Sequence, residues 1–262
     1  MSIIIFLIIL SVLVVVHEAG HMWVAKSVGI RVDEFGLGFP PRIKKLFSWR
    51  GTDFVLNSLP FGGYVKIFGE SPSEEGEENN QESFQSKSNS KKIMVLVAGV
   101  LANFILAWIL FSVIQMMGIE SQDGYIKRGL FDALWHGFLT VGKITELTVV
   151  ALWSLLTGLF TGQADLSQVV GPVGLVGLVG TVSKAGLAYV LYFTALISVN
   201  LGIINLFPLP ALDGGRVFLV LVEWVRGKKI TPKVFNAMNA ISFALLIILM
   251  ILITVRDVKG LL

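Results

Sequence analysis

Four stretches of this chain are too long and too apolar to be left in water: Ile3–Val28, Ile93–Met117, Leu187–Phe207 and Val234–Val255. A helix needs about 20 predominantly apolar residues to cross the hydrocarbon of a bilayer, and the last stretch carries no charge at all. The composition agrees. Of 262 residues, 54% are apolar and only 15% charged, with a mean hydropathy of +0.77; a soluble domain carries about 25% charged residues. The fold class expected is an α-helical integral membrane protein. Disorder over the whole chain is excluded. The absence of cysteine excludes disulfide scaffolds, thiolate zinc sites and cysteine nucleophiles. A net charge of +3 without a basic, aromatic-studded stripe gives no reason to expect nucleic acid as a partner.

Loop charge orients the spans, because cytoplasmic loops carry the excess of Lys and Arg. The loop Ala25–Lys92 holds ten of them, the short loop Leu209–Lys233 holds five, and the long segment Gly118–Gly186 holds four. The first two loops therefore read as cytoplasmic and the third as external. This predicts four crossings with both termini outside. A fifth apolar stretch, Leu134–Phe160, has Lys143 and Glu146 just before its apolar core. It is expected to lie along the membrane or dip into it as one peripheral or re-entrant helix. Residues 70–90 are acidic and rich in Ser and Asn, and read as a flexible cytoplasmic loop. Before them, Thr52–Phe68 mixes β-branched, aromatic and Gly residues, which predicts a small membrane-associated β-loop bending near Gly62-Gly63. The whole chain, residues 1–262, is read as one membrane-embedded domain.

The sharpest chemical signal is His17-Glu18-Ala19-Gly20-His21 in the first span. On a helix, positions i and i+4 share a face. Two imidazoles there can bind one zinc ion, and the intervening Glu18 can reach a water at the metal. The plain alternative is a helix end whose polar groups bond headgroups and water; against it, ionisable groups inside apolar helices are costly and usually functional. A catalytic zinc site takes three protein ligands. The third must reach the cytoplasmic end, where the third span ends in Asn205-Leu-Phe-Pro-Leu-Pro-Ala-Leu-Asp213-Gly-Gly. Asp213 is the candidate, and it can equally serve as a helix N-cap. His136 is the rival, but it falls in the external segment. Glu223 lies on the correct side, flanked by basic residues that suggest a solvent-facing position.

Softer features follow. Asn103, Asn200 and Asn205 are amides within apolar spans, where helix–helix hydrogen bonding is the ordinary use; that reading is preferred for Asn103. Asn200 and Asn205 precede Asp213 closely enough to be candidate substrate contacts. Gly171, Gly174, Gly177 and Gly180 recur every third residue, which suggests a close-packing face. The chain has no Walker A, G-x-S-x-G or G-x-G-D motif, which argues against nucleotide use and serine or aspartyl proteolysis.

With these residues in view, the sequence resembles the site-2 protease family of intramembrane zinc metalloproteases, in its bacterial RseP-like subgroup. HEAGH, FGGYVKIFGE, VAGVLANF, GPVGL and SVNLGIINLFPLPALDGGR carry the resemblance, in order and over nearly the whole chain. It implies that His17, His21 and Asp213 bind Zn2+ and that Glu18 is the general base. It implies that Gly62, Gly63 and Tyr64 belong to a membrane re-entrant β-loop that meets extended substrate, and that Asn200, Asn205 and Pro208 line the substrate path. The partners implied are the lipid bilayer and single-span membrane proteins, such as anti-sigma factors or signal-peptide remnants. The location implied is the bacterial cytoplasmic (inner) membrane, with the active site toward the cytoplasm. One departure is plain: RseP-like proteins carry PDZ domains between the second and third spans, and only about sixteen residues separate Met117 from Leu134 here, far below the size of a domain. A non-cleaving metal-binding membrane protein or transporter is the alternative; it would use His17, His21 and Asp213 without needing Glu18.

Overall fold

A computed structural model describes residues 1–71, 80–121, 124–162 and 170–259. Seven α-helices occur among them: α1 (Ser2–Ser27), α2 (Asn89–Met117), α3 (Leu130–Thr161), α4 (Pro172–Ala185), α5 (Leu187–Asn205), α6 (Asp213–Arg226) and α7 (Pro232–Lys259). Strands β1 (Val32–Trp49) and β2 (Thr52–Ile67) form one sheet; β3 (Ile119–Ser121) and β4 (Gly124–Ile126) form a short hairpin. Helices α1, α2, α5 and α7 cover the four stretches expected to span. Helix α7 has 6% of its most apolar window buried, against 39% for α2 and α5. A helix that is apolar all round and left exposed is suited to hydrocarbon as its solvent.

The count of candidate spans differs from the expectation. By length and composition five helices can cross a membrane, because the segment expected to lie along the bilayer is part of the continuous helix α3. Lys143 and Glu146, which break its hydropathy, pair with each other at 3.0 Å one turn apart. The hydroxyls of Thr140, Thr145 and Thr157 bond carbonyls one turn back within the helix, so they need no water.

The chain divides into two compact units. The first comprises Met1–Phe6, Phe104–Ile203 and Leu246–Leu262. Its core joins Ala107, Phe111 and Ile114 of α2 to Val141 of α3 and to Ala195, Val199 and Ile203 of α5. Gly137 lets α3 press on α2 at Ser112, and the Trp108 indole donates to Leu134 O at 2.8 Å. Of the periodic glycine run, Gly171 and Gly174 each lie against Asp257 of α7, whose carboxylate accepts from Gly174 N–H at 2.9 Å, whereas Gly177 faces open space, so the packing face is only partial. That carboxylate caps α4, which has no side-chain cap of its own.

The second unit comprises Leu7–Asn103 and Ile204–Leu245. Its core gathers Met22 and Ala25 of α1, Val32, Phe35 and Ile67 of the sheet, Val95 and Leu96 of α2, and Val220 of α6. Strands β1 and β2 meet at Arg50-Gly51, both at positive φ. Both strands bend, so Phe35 faces Val65 as well as Phe54, and Gly36 faces Tyr64 as well as Val55. The start of β1 thus lies between two parts of β2, and Gly63–Ile67 forms one margin of the sheet. The expected bend falls at Gly62, with φ +72.

The stretch read as a flexible loop is different in its second half. Residues 72–79 lie outside the described residues. From Asn80 the chain is folded: Arg31 N–H donates to Glu82 O, Phe84 N–H donates to Phe68 O, and a short 3-10 turn covers Phe84–Ser86. Phe84, the one aromatic in that polar stretch, is buried in the core. Average polarity hides a single anchoring ring.

Candidate metal centre

The second unit brings His17, His21 and Asp213 together. Helix α1 supplies both imidazoles on one face, one turn apart, and both are buried. Asp213 arrives from 196 residues along the chain. Its Oδ2 lies 2.9 Å from His17 Nε2 and 3.2 Å from His21 Nε2, and the two Nε2 atoms are 3.1 Å apart. Four ligands at 2.0–2.1 Å around tetrahedral zinc stand about 3.3 Å from one another. Three donor atoms at 2.9–3.2 Å therefore outline one face of such a tetrahedron to within a few tenths of an ångström. Two imidazoles and a carboxylate are a donor set that suits zinc, and the fourth position remains for water or substrate. Among the described residues this is the one cluster of three such groups able to hold an ion.

The turn before Asp213 explains how it gets there. Helix α5 ends at Asn205, and Pro208 and Pro210 prevent its continuation. Phe207 N–H bonds Ile204 O, and Leu212 N–H bonds Leu209 O, winding the chain tightly back. Gly214 and Gly215 are pressed on the backbones of Leu206 and Leu209, where a Cβ has no room. Asp213 opens α6, but the N-cap position is Leu212 and no side chain caps the helix. The N-cap alternative for Asp213 is therefore not what this carboxylate does. Burial pushes its pKa up, yet the His17 and His21 rings set against it outweigh this and hold it well below the usual carboxylate range. It is an anion facing two imidazoles.

Glu18 sits between the two His in sequence, and its Oε2 accepts from Val65 N–H of β2 at 3.1 Å. Gly63, on the same margin of the sheet, is buried with its backbone against Gly36 O and Val15 of α1. Gly62 is pressed on the Phe39 ring. The Tyr64 ring covers Gly36, and its hydroxyl donates to Glu34. Asn205 is half-buried at the end of α5, and Pro208 is exposed. Asn200 belongs to the other unit, where its Oδ1 accepts from the Thr148 hydroxyl at 2.8 Å, a helix–helix bond. His136 pairs with Asp132 on α3 at 3.3 Å. Glu223 accepts from Ile230 N–H at 2.8 Å and so pins the turn between α6 and α7 instead of standing free in solvent.

Helix α2 supplies further partners of the two rings, among them Asn103, which makes the helix–helix contact expected of it. Val95 O accepts from His21 Nδ1 at 2.8 Å, and the Asn103 amide lies 3.2 Å from His17 Nδ1. Between them Gly99 faces both rings: a Cβ there would fall 2.7 Å from His17 Cε1 and 2.8 Å from its Nε2. On α1, Gly20 is in turn pressed on Ala98 O and Ala102. The four-residue spacing Val95, Gly99, Asn103 on one helical face is the sequence signal that marks this surface. A backbone carbonyl leaves no signal at all.

Comparison with known proteins identifies the family. Residues 5–249 match peptidase family M50. A "Putative zinc metalloprotease" of Clostridium perfringens is 31% identical, with 98% of each chain covered. Proteins named zinc metalloprotease RasP in Shouchella clausii and Oceanobacillus iheyensis are 26% and 25% identical, with 98% and 99% of each chain covered. These alignments run over 341 to 421 positions against the 262 residues here, in keeping with the lack of a PDZ domain. The chain belongs to peptidase family M50, the site-2 proteases, and is a multi-pass membrane zinc metalloprotease of the intramembrane type.

Proposed function

We propose that this protein carries out regulated intramembrane proteolysis, cutting a peptide bond within or near the transmembrane segment of single-span membrane proteins. Anti-sigma factors and signal-peptide remnants are the substrate classes in view. The observation that carries the reading is the convergence of His17 Nε2, His21 Nε2 and Asp213 Oδ2, with Glu18 adjacent in sequence and held by the sheet. His17, His21 and Asp213 hold the metal. When bound, zinc supplies Lewis acidity to the attacking water and to the scissile carbonyl. Glu18 takes the proton from that water and hands it to the leaving amine. A helical substrate must unwind before its carbonyl is accessible, since its backbone is already hydrogen-bonded. The margin Gly62–Val65 suits an added strand that holds the extended form, with Tyr64 beside it. Asn205 and Pro208 stand eight and five residues before Asp213 and line the approach, where the Asn205 amide serves the freed backbone.

The cytoplasmic membrane of a bacterium is the proposed location, with the site toward the cytoplasm. Loop charge supports that orientation. The contact of His17 with Asp213 supports an even number of crossings between α1 and α6.

Reconstituting the chain in liposomes with single-span substrates tests the reading. Product masses are expected to place the cut inside or within a few residues of the apolar segment. Cuts only in soluble tails, with the span left whole, would overturn it.

A further inference from the structure

We propose that Asn103 is a positioning residue for zinc: its amide oxygen accepts the hydrogen of His17 Nδ1 and so aims His17 Nε2 at the metal. This rests on the reading of His17, His21 and Asp213 as ligands. A coordinating ring nitrogen carries no hydrogen, so the hydrogen of neutral His17 belongs on Nδ1. What lies beside Nδ1 must then be an acceptor. His21 meets that need through Val95 O at 2.8 Å. For His17 the neighbour is the Asn103 amide at 3.2 Å, drawn with Nδ2 toward the ring. The two ends of an amide occupy equivalent positions and are told apart only by their hydrogen-bond network. A ring N–H demands the oxygen, so the amide is turned the other way.

The surroundings fit this role. Asn103 is wholly buried. Val95 and Asn103 stand eight residues apart on one face of α2 and meet His21 and His17, four apart on α1. Gly99, midway, clears the space the rings occupy. One helix thus fixes the tautomer of both imidazoles, one by a carbonyl and one by a side chain. Only the second can be changed by substitution. Outer partners of this kind typically govern about 10–100-fold in metal affinity.

The test is zinc affinity of the full chain in detergent, by competition with a chromophoric chelator, for wild type, Asn103→Ala, Asn103→Leu, Asn103→Asp and His17→Ala. Thermal unfolding of the metal-free forms reports stability separately. Asn103→Ala and Asn103→Leu should bind zinc about 10–100-fold more weakly. Asn103→Asp, the same shape with acceptors only, should bind within about threefold of wild type, because carboxylate–histidine–zinc arrangements are sound. His17→Ala losing zinc would uphold the ligand assignment on its own. If His17→Ala loses zinc but Asn103→Ala and Asn103→Leu keep wild-type affinity, the role of Asn103 is overturned and the metal centre stands. If Asn103→Asp binds as weakly as Asn103→Ala, the amide nitrogen is the partner and the proposal is wrong. If His17→Ala keeps wild-type affinity, the metal reading fails first. Should Asn103→Ala and Asn103→Leu not fold, Asn103→Asp alone decides.

Discussion

Glu18 Oε2 accepts a hydrogen bond from Val65 N–H at 3.1 Å, tying the carboxylate of the HEAGH helix to the margin of the sheet. The two are 47 residues apart in sequence. The bond joins the proposed base to the strand proposed to receive substrate.

Val65→Pro deletes this N–H, and proline is tolerated at a sheet edge. Cleavage should fall at least about tenfold, since a positioned acid–base group contributes about 10²–10⁴-fold. Zinc content should not change. Val65→Ala keeps the N–H and should cleave at close to the wild-type rate. Rates and zinc measured on the same preparations check both.

Gly99→Ala places a methyl group against both imidazoles. Overpacking of this kind costs about 1–3 kcal/mol, and here it falls on the proposed ligands His17 and His21. Zinc affinity should drop while the helical content by circular dichroism is kept. Unaltered affinity would mean that α2 stands further from α1.

Phe84→Ala removes the ring that anchors residues 80–88 in the core. Loss of a buried Phe costs about 3–5 kcal/mol. Thermal unfolding in detergent should show a clear fall in midpoint, whereas a loop free in water would show none.

The chain has no cysteine, so single cysteines report membrane side cleanly. Ser48→Cys and Lys228→Cys, both at exposed positions, should resist an impermeant maleimide in intact cells; Lys127→Cys, also exposed, should react. The reverse pattern would invert the proposed orientation.

Part of this architecture is legible in the sequence. The apolar runs mark α1, α2, α5 and α7 because hydrocarbon demands continuous apolar helix. HEAGH places two imidazoles side by side because i and i+4 share a face, and the two prolines show where α5 must stop. Helix α3 was harder to read, because Lys143 and Glu146 depress its hydropathy although they neutralise each other. Phe84 was hidden by the polarity around it. The spacing of Val95, Gly99 and Asn103 marks one face of α2, but what that face meets on α1 is set only by the pairing of the two helices. Asn200 is drawn toward Thr148 for the same reason.

The most direct measurement is cleavage and zinc stoichiometry on Glu18→Gln and wild type, reconstituted side by side with a single-span substrate. The account predicts about one zinc per chain in both, cleavage by wild type that stops with chelator and returns with zinc, and no cleavage by Glu18→Gln. Cleavage by Glu18→Gln at the wild-type rate would contradict the role of Glu18. Cleavage by wild type stripped of zinc would contradict the metal centre itself.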